Sequence, residues 1–325
     1  MPWSRRRILH LAAGATAISS LPQRAVAETF PSRPVHLLIG FPPGGTGDIV
    51  GRLMAQWLSD RLGQQVVVEN RPGAATNLAV EAALKAPADG YTLVQVTIST
   101  AINATLAPSP SFNLTRDVAM VAGSTVSPLV LEVHPSLPVN TVAEFIAYAK
   151  GNPGKVSLGS FGTGTISHVT GELFRARAGI ETLHVPYRGT GPMLTDLLGG
   201  QIQAAFDVLA GSIGHIKAGR LRALAVTTAR RSDAMPELPT VGESLPGFEA
   251  SGWLALGVAK QTPRAIIETL SRACNASLAD PAATARLAAL GSSAMIEAPA
   301  DLDRYLAEEI DKWGKVIRAA RIKPD

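Results

Sequence analysis

The stretch that most constrains the fold is residues 41–48, because a strand pattern precedes it and a helix pattern follows it. Its sequence reads Phe41-Pro42-Pro43-Gly44-Gly45-Thr46-Gly47-Asp48. Residues 35–39 form an apolar run typical of a buried strand, and residues 49–58 place apolar side chains on one helical face. The prolines fix φ, and the glycines let a ligand approach the backbone closely. We expect a strand, a tight loop and a helix start whose free amides favour an anion.

The loop does not fit the common nucleotide-binding patterns. A P-loop requires lysine and then serine or threonine after its last glycine, whereas Thr46 and Gly47 follow Gly45 here. The dinucleotide pattern G-x-G-x-x-G is also absent from this stretch. A plain β–α turn that binds nothing therefore remains an alternative. Asp48 has an alternative of its own, because a carboxylate in the first turn caps a helix or complements its dipole.

The first 27 residues have the three regions of a signal peptide. Three arginines beginning at Arg5 form the basic region, residues 8–21 form the apolar region, and residues 25–27 form an A-x-A cleavage site. Residues 4–9 also resemble a twin-arginine export signal, with ordinary secretion as the alternative. The sequence thus predicts that residues 1–27 are removed and that the protein is periplasmic.

The charge balance changes once that segment is set aside. The chain has 30 Lys and Arg against 26 Asp and Glu, and the segment holds four arginines and no acid. The mature chain is then formally neutral, which argues against a nucleic-acid partner. The one cysteine, Cys274, excludes an intramolecular disulfide and a multi-cysteine metal site. The histidines are scattered, so we expect neither a metal nor a cofactor.

Strand and helix patterns alternate along the chain, which predicts a mostly parallel α/β sheet with ligands beyond the carboxyl ends of its strands. Further strands are predicted at residues 65–69, 91–97, 127–133, 156–160, 202–206, 221–227 and 253–259. Helices are predicted at residues 77–86, 141–150, 166–178, 193–198, 263–278, 281–290 and 300–320.

A second loop, residues 160–168, resembles the first in composition, because glycines and hydroxyl side chains again precede an amphipathic helix. His168 lies one turn into that helix, where a purely structural role is the alternative. Asp207 at a strand end could orient a ligand amine or hold a loop amide. Arg188 could pair with a carboxylate or remain solvated, and Tyr187 beside it could line a cleft.

Catalytic motifs are missing. Neither H-E-x-x-H nor G-x-S-x-G occurs. We therefore predict no catalytic residues. A periplasmic hydrolase that uses Ser160 or His168 is the competing hypothesis, and an ordered nucleophile–base pair would favour it.

Seven segments of the chain together resemble one protein family, the Bug-type periplasmic substrate-binding proteins of tripartite tricarboxylate transporters. They are Phe41-Pro42-Pro43-Gly44-Gly45 with Asp48, Val68-Glu69-Asn70-Arg71-Pro72-Gly73, Asp89-Gly90-Tyr91-Thr92-Leu93, Gly171-Glu172-Leu173-Phe174, Val185-Pro186-Tyr187-Arg188-Gly189, Asp196-Leu197-Leu198-Gly199-Gly200-Gln201 and Leu221-Arg222-Ala223-Leu224-Ala225-Val226-Thr227. The resemblance covers essentially the whole mature chain. It implies a Venus-flytrap fold, with two α/β domains and a ligand cleft between them.

The resemblance also implies boundaries, a ligand and partners. Residues 28–128 and 254–325 would form a discontinuous first domain, and residues 129–253 the second. The ligand would be a small carboxylate, such as a di- or tricarboxylate, an amino acid or an aromatic acid. The partners would be membrane subunits of a tripartite transporter or, alternatively, a sensor kinase, and the receptor itself would be a monomer.

The expected ligand-binding residues come from the two loops and the strand ends near them. They are Phe41, Pro42, Pro43, Gly44, Gly45, Thr46, Asp48, Thr97, Ser99, Ser160, Gly162, Thr163, Gly164, Thr165, His168, Tyr187, Arg188, Gly189 and Asp207. The chain departs from the family pattern at residues 74–77, where the family often has a glycine-rich segment. It also lacks the histidine that the family often has near Ala101. Ligand identity therefore does not carry over from the family.

Overall fold

The structure is a computed structural model that describes residues 30–106 and 111–323. The predicted signal peptide and its twin-arginine motif lie outside the described residues. In the part of the chain that is described, no helix has both the length and the apolar character needed to span a membrane.

The helices and strands alternate along most of the chain. The strands are β1 (Val35–Ile39), β2 (Val66–Asn70), β3 (Thr92–Thr97), β4 (Val118–Val133), β5 (Ser157–Ser160), β6 (Leu183–Pro186), β7 (Ala204–Val208), β8 (Arg222–Val226), β9 (Ser251–Ala259) and β10 (Ser293–Ala294). The helices are α1 (Thr46–Leu62), α2 (Asn77–Lys85), α3 (Ile98–Leu106), α4 (Leu114–Asp117), α5 (Val142–Gly151), α6 (Ile166–Ala178), α7 (Thr190–Leu198), α8 (Leu209–Lys217), α9 (Val241–Ser244), α10 (Arg264–Leu278), α11 (Pro281–Ala289) and α12 (Pro299–Ala319).

Most predicted helices and strands begin and end within a few residues of the observed ones. Two regions differ from the prediction. The strand predicted at 127–133 is the end of β4, which has 16 residues. The residues directly after the predicted strand 91–97, for which no helix was predicted, are helical, because α3 begins at Ile98. Burial against α12 accounts for this helix, since Ile102 and Leu106 on α3 share one apolar cluster with residues of α12.

The sheet is parallel among β1, β2 and β3 and among β5, β6 and β7, and antiparallel wherever β4 or β9 pairs with another strand. Its strand order is β2-β1-β3-β9-β4-β7-β5-β6, with β8 and β10 also paired to β4. β1 pairs in parallel with β2 and β3, and β5 with β6 and β7. β9 runs antiparallel to β3 and β4, and β4 runs antiparallel to β7 and β8. The expectation of a mostly parallel sheet is therefore wrong at the junction. β4 leaves the first half and β9 returns to it, so they run in opposite directions.

Two strands, β4 and β9, join the two halves of the molecule. The first part of β4 pairs with β9 as far as Pro128, opposite Ser251. From Leu129 to Val133 the strand pairs with β7 instead. The turns after β1, β3, β5 and β7 all reach one cavity between the halves. Each of these turns follows the carboxyl end of its strand, which is where ligands bind in sheets of this type.

Candidate functional site

The turns between the two halves line an inner cavity of about 80 Å³, several times the space that one water needs. Its walls come from both halves of the molecule. The lining residues are Phe41, Pro42, Pro43, Gly45, Thr46, Gly47, Thr97, Ile98, Ser99, Ser127, Phe161, Ile166, Gly189, Thr190, Gly191, Pro192, Val208, Gly252, Trp253 and Leu254.

A second space, here called the outer groove, has a volume of about 660 Å³. It is lined by Gly40, Phe41, Pro42, Pro72, Gly73, Ala74, Ala75, Thr76, Phe161, Gly162, Thr163, Thr165, Tyr187, Arg188 and Gly189. The rings of Phe41 and Phe161 line both spaces and meet edge to face, with centroids 6.1 Å apart. One ring comes from each half, and Pro42 and Gly189 also line both spaces, so the two spaces adjoin at these residues.

Asp48 fixes the shape of the first loop. Its buried carboxylate accepts hydrogen bonds from the Gly44 amide at 2.9 Å, Arg52 Nε at 3.0 Å and Asn70 Nδ2 at 2.9 Å. Burial opposes ionisation, but the hydrogen bonds from Arg52, Gly44 and Asn70 outweigh it and lower the pKa of Asp48. Gly44 has φ of 84°, which favours glycine. These hydrogen bonds hold the first loop in its conformation. Asp48 itself lines neither the inner cavity nor the outer groove.

Two helix starts at the inner cavity keep free amides. Gly45, the residue before α1, provides no side-chain cap, and no acceptor in the described residues takes the amide hydrogens of Thr46 and Gly47. Gly189 before α7 likewise offers no side-chain cap. The Thr46 hydroxyl is buried and makes no hydrogen bond within the described part of the chain. Such amides and a helix dipole favour an anion.

The start of α6, in contrast, is closed off by the other half. The Ile166 amide donates to Ser99 Oγ at 3.2 Å. Asn103 Nδ2 donates to the Gly164 carbonyl at 3.1 Å and to the Ser99 carbonyl at 2.8 Å. The bonds to Ile166 and Gly164 join α3 to the start of α6 and to the loop before it, across the cleft.

A hydroxyl–imidazole pair, of which the hydroxyl is buried, supports that loop from behind. Ser160 Oγ lies 2.7 Å from His184 Nε2, and the His184 ring stacks on His168 with centroids 4.3 Å apart. The Gly164 amide donates to His168 Nδ1 at 3.2 Å. Ser160 is 1% exposed and lines neither the inner cavity nor the outer groove. The pair is ordered, but it does not meet the space where a substrate would lie.

Asp207 and Glu132 form a fully buried carboxyl pair behind the inner cavity. Thr190 Oγ1 donates to Asp207 Oδ1 at 3.3 Å, whereas Asp207 Oδ2 and both Glu132 oxygens lack a partner among the described residues. Burial raises the pKa of Asp207 to about 7. Burial and the nearby Asp207 raise the pKa of Glu132 well above its usual range. A Cβ added at Gly211 would lie 2.8 Å from Asp207 Oδ2 and 3.0 Å from Thr46 Oγ1, so the carboxyl pair adjoins the start of α1.

Tyr187 and Arg188 belong to the outer groove. Tyr187 Oη donates to Asp196 Oδ2 at 2.7 Å, and burial with that carboxylate raises the Tyr187 pKa to about 12. Arg188 is exposed at the edge of the groove. Neither side chain lines the inner cavity.

The predicted site residues thus divide into three groups. The inner cavity brings together Phe41, Pro42, Pro43, Gly45, Thr46, Thr97, Ser99 and Gly189. The outer groove contains Phe41, Pro42, Gly162, Thr163, Thr165, Tyr187, Arg188 and Gly189. Neither space is lined by Gly44, Asp48, Ser160, Gly164, His168 or Asp207.

Sequence reasoning missed the contributions of α7 and β9. The segment Gly189-Thr190-Gly191-Pro192 has the same glycine, hydroxyl and proline composition before a helix as the first loop. That signal could have identified Thr190 and Gly191. Trp253 and Leu254 come from β9, and only the three-dimensional pairing places them at the cavity. No group of three metal-ligating side chains occurs in residues 30–106 and 111–323.

Residues 50–322 match the family described as tripartite tricarboxylate transporter family receptor. The chain belongs to this family. Among its relatives, protein BugT of Bordetella pertussis is 37% identical over 300 residues, which cover 91% of this chain and 92% of BugT.

Solved structures of similar proteins share the whole receptor fold. R. palustris Rpa4515, solved with adipate, is 36% identical with a TM-score of 0.88, covering 91% of this chain and 100% of that one. MatC from Rhodopseudomonas palustris, solved with bound malate, is 29% identical with a TM-score of 0.84, covering 89% and 100%. The periplasmic binding protein BugD is 29% identical with a TM-score of 0.87, covering 91% and 100%.

Proposed function

We propose that this receptor binds a small carboxylate in the inner cavity and passes it to the membrane subunits of a tripartite transporter. The observation that carries the proposal is the pair of uncapped helix starts, α1 and α7, at one cavity. Each brings amide donors and the positive end of a helix dipole to the same space. The adipate and malate held by two similar receptors are also carboxylates.

The proposed ligand contacts are the predicted residues that line the inner cavity. Phe41, Pro42 and Pro43 would contact the ligand body, and Gly45 and Thr46 would contact its carboxylate. Residues of the outer groove, including Arg188, would lie at the entrance on the far side of the aromatic pair. Asp48, Ser160 and His168 would act indirectly by holding the two loops.

We also propose that residues 28–128 and 254–325 form one domain and residues 129–253 the other. The change of β4 partners after Pro128 supports this division. A periplasmic location is proposed from the sequence of residues 1–27 and from the likeness to BugD, a periplasmic binding protein.

Native mass spectrometry of freshly purified protein tests for a co-purified acid, and thermal unfolding with an acid panel tests binding directly. A ligand at about 100 times its dissociation constant stabilises a protein by about 2.7 kcal/mol, or several degrees. We expect at least one small mono-, di- or tricarboxylate to give this shift and neutral sugars to give none. A shift with a sugar and with no carboxylate would contradict the proposal.

A further inference from the structure

We propose that Glu309 is a positioning residue for the inner cavity, because it binds the indole N–H of Trp253 and thereby fixes residues 252–254, here called the wall segment. All three residues of the wall segment line the inner cavity, whereas Glu309 does not. The inference rests on the proposed function and adds a residue that acts on the ligand only through Trp253.

The Glu309 carboxylate is buried and accepts hydrogen bonds from two indoles. Its Oε2 accepts from Trp253 Nε1 at 3.1 Å and from Trp313 Nε1 at 3.2 Å. Lys312 Nζ lies 3.4 Å from the other oxygen, Oε1. An indole has one donor, and both tryptophans are 1% exposed. Without Glu309 each N–H would be buried with no acceptor from this helix, which is costly.

One face of α12 supplies all the contacts to the Trp253 side chain described here. Tyr305, Glu309 and Trp313 are four residues apart, which is the spacing of neighbours on a helix surface. The Tyr305 ring meets the Trp253 ring edge to face, with centroids 5.6 Å apart. A hydrogen bond and a ring contact from the same helix therefore define where the indole lies.

The strand pairing beside the wall segment is irregular. The register of β4 against β9 shifts between Gly123 and Thr125, which pair with Ala255 and Leu254. Such an irregularity interrupts the ladder, bends the strand and often occurs next to a binding site. Backbone pairing alone therefore specifies the wall segment less tightly here. The bond from Trp253 to Glu309 adds a fixed point one residue from Leu254.

Two substitutions at Glu309 test its role as an acceptor. Adipate, malate and benzoate are each titrated into the protein by calorimetry. Glu309→Met removes the acceptor and keeps an unbranched side chain, and it should weaken every acid that the wild type binds by about tenfold. Glu309→Gln keeps an acceptor oxygen and should restore affinity to within about threefold of wild type. Glu308→Met, at an exposed position on the same helix, is the matched control and should leave affinity unchanged.

Substitutions of the two tryptophans separate positioning from stability. Trp313→Phe removes the second indole N–H but no residue of the cavity. It should lower the melting temperature, as Glu309→Met does, and leave affinity at the wild-type value. Trp253→Phe removes the proposed link itself and should weaken binding by about tenfold. In that background Glu309→Met should cause no further loss, because the two changes delete the same hydrogen bond.

The outcomes distinguish this inference from the proposed function. Wild-type affinity in Glu309→Met, or an equal loss in the wild-type and Trp253→Phe backgrounds, would overturn the inference and leave a carboxylate receptor in place. A loss in Trp313→Phe as large as that in Glu309→Met would also overturn it, because affinity would then follow stability. If Glu309→Met does not fold, wild-type affinity in Trp253→Phe would overturn the inference by itself. Failure of the wild type to bind any of the three acids would count against the proposed function, and the inference would fall with it.

Discussion

Replacing Glu132 by glutamine should remove about half of the pH dependence of stability that the buried carboxyl pair creates. Glu132 and Asp207 are both fully buried, and burial is the main cause that raises the pKa of each. In the folded protein both therefore keep a proton at pH values where the unfolded chain has lost it. Stability from such groups is fully present below the unfolded pKa, near 4, and is lost as pH rises towards the folded pKa.

The expected magnitude follows from proton linkage. A carboxyl that is protonated when folded and ionised when unfolded lowers the free energy of unfolding by about 1.4 kcal/mol per pH unit. Between about pH 5 and 6.5 the pair should contribute a slope of about −2.7 kcal/mol per pH unit. Glu132→Gln leaves only Asp207, so the slope should become less negative by about 1.4 kcal/mol per pH unit.

Urea denaturation of the two proteins across about pH 5 to 6.5 measures this difference directly. The control is Glu237→Gln, which makes the same chemical change at an exposed glutamate and should leave the slope unchanged. Equal slopes for wild type and Glu132→Gln would show that Glu132 is already ionised in the fold, and the reasoning from burial would then be refuted.

Three further predictions concern the loops and the core. Asp48→Asn should lower the free energy of unfolding by about 1–3 kcal/mol in thermal or urea melts, because it breaks the charge-assisted hydrogen bond with Arg52; an unchanged melt would contradict this. Cys274 should not react with Ellman's reagent in native protein and should react in urea, because burial raises its pKa to about 12; native reactivity would argue against its burial. Asn103→Leu should increase the radius of gyration of the unliganded protein in X-ray scattering, because the hydrogen bond to Gly164 across the cleft is lost. Identical scattering would show that this hydrogen bond does not hold the two halves together.

The sequence predicts elements well where one pattern is strong and local. β1 and α6 have the bounds expected, because an unbroken apolar run and a full amphipathic face leave little ambiguity. The first part of β4 was missed because its many small residues carry no clear alternation. The carboxyl pair could not be predicted either. Glu132 reads as an ordinary charge in a strand, and only the pairing of β4 with β7 brings it near Asp207. The first loop was identified from its glycines and prolines, whereas Trp253 reaches the site only through the return of β9.

The junction between the halves has a mechanical consequence, because it is a piece of sheet and not a loop. β4 and β9 stay paired up to Pro128 and Ser251, with irregular register near Met120 and Gly123. Any rotation of one half against the other must therefore twist the paired strands β4 and β9. The deformation is spread over many peptide units instead of being confined to one or two hinge residues. An extra residue inserted after Pro128 would turn every following side chain of β4 to the opposite face of the sheet. Glu132 would then point away from Asp207, and Leu129 and Leu131 would leave the core that they now help to form.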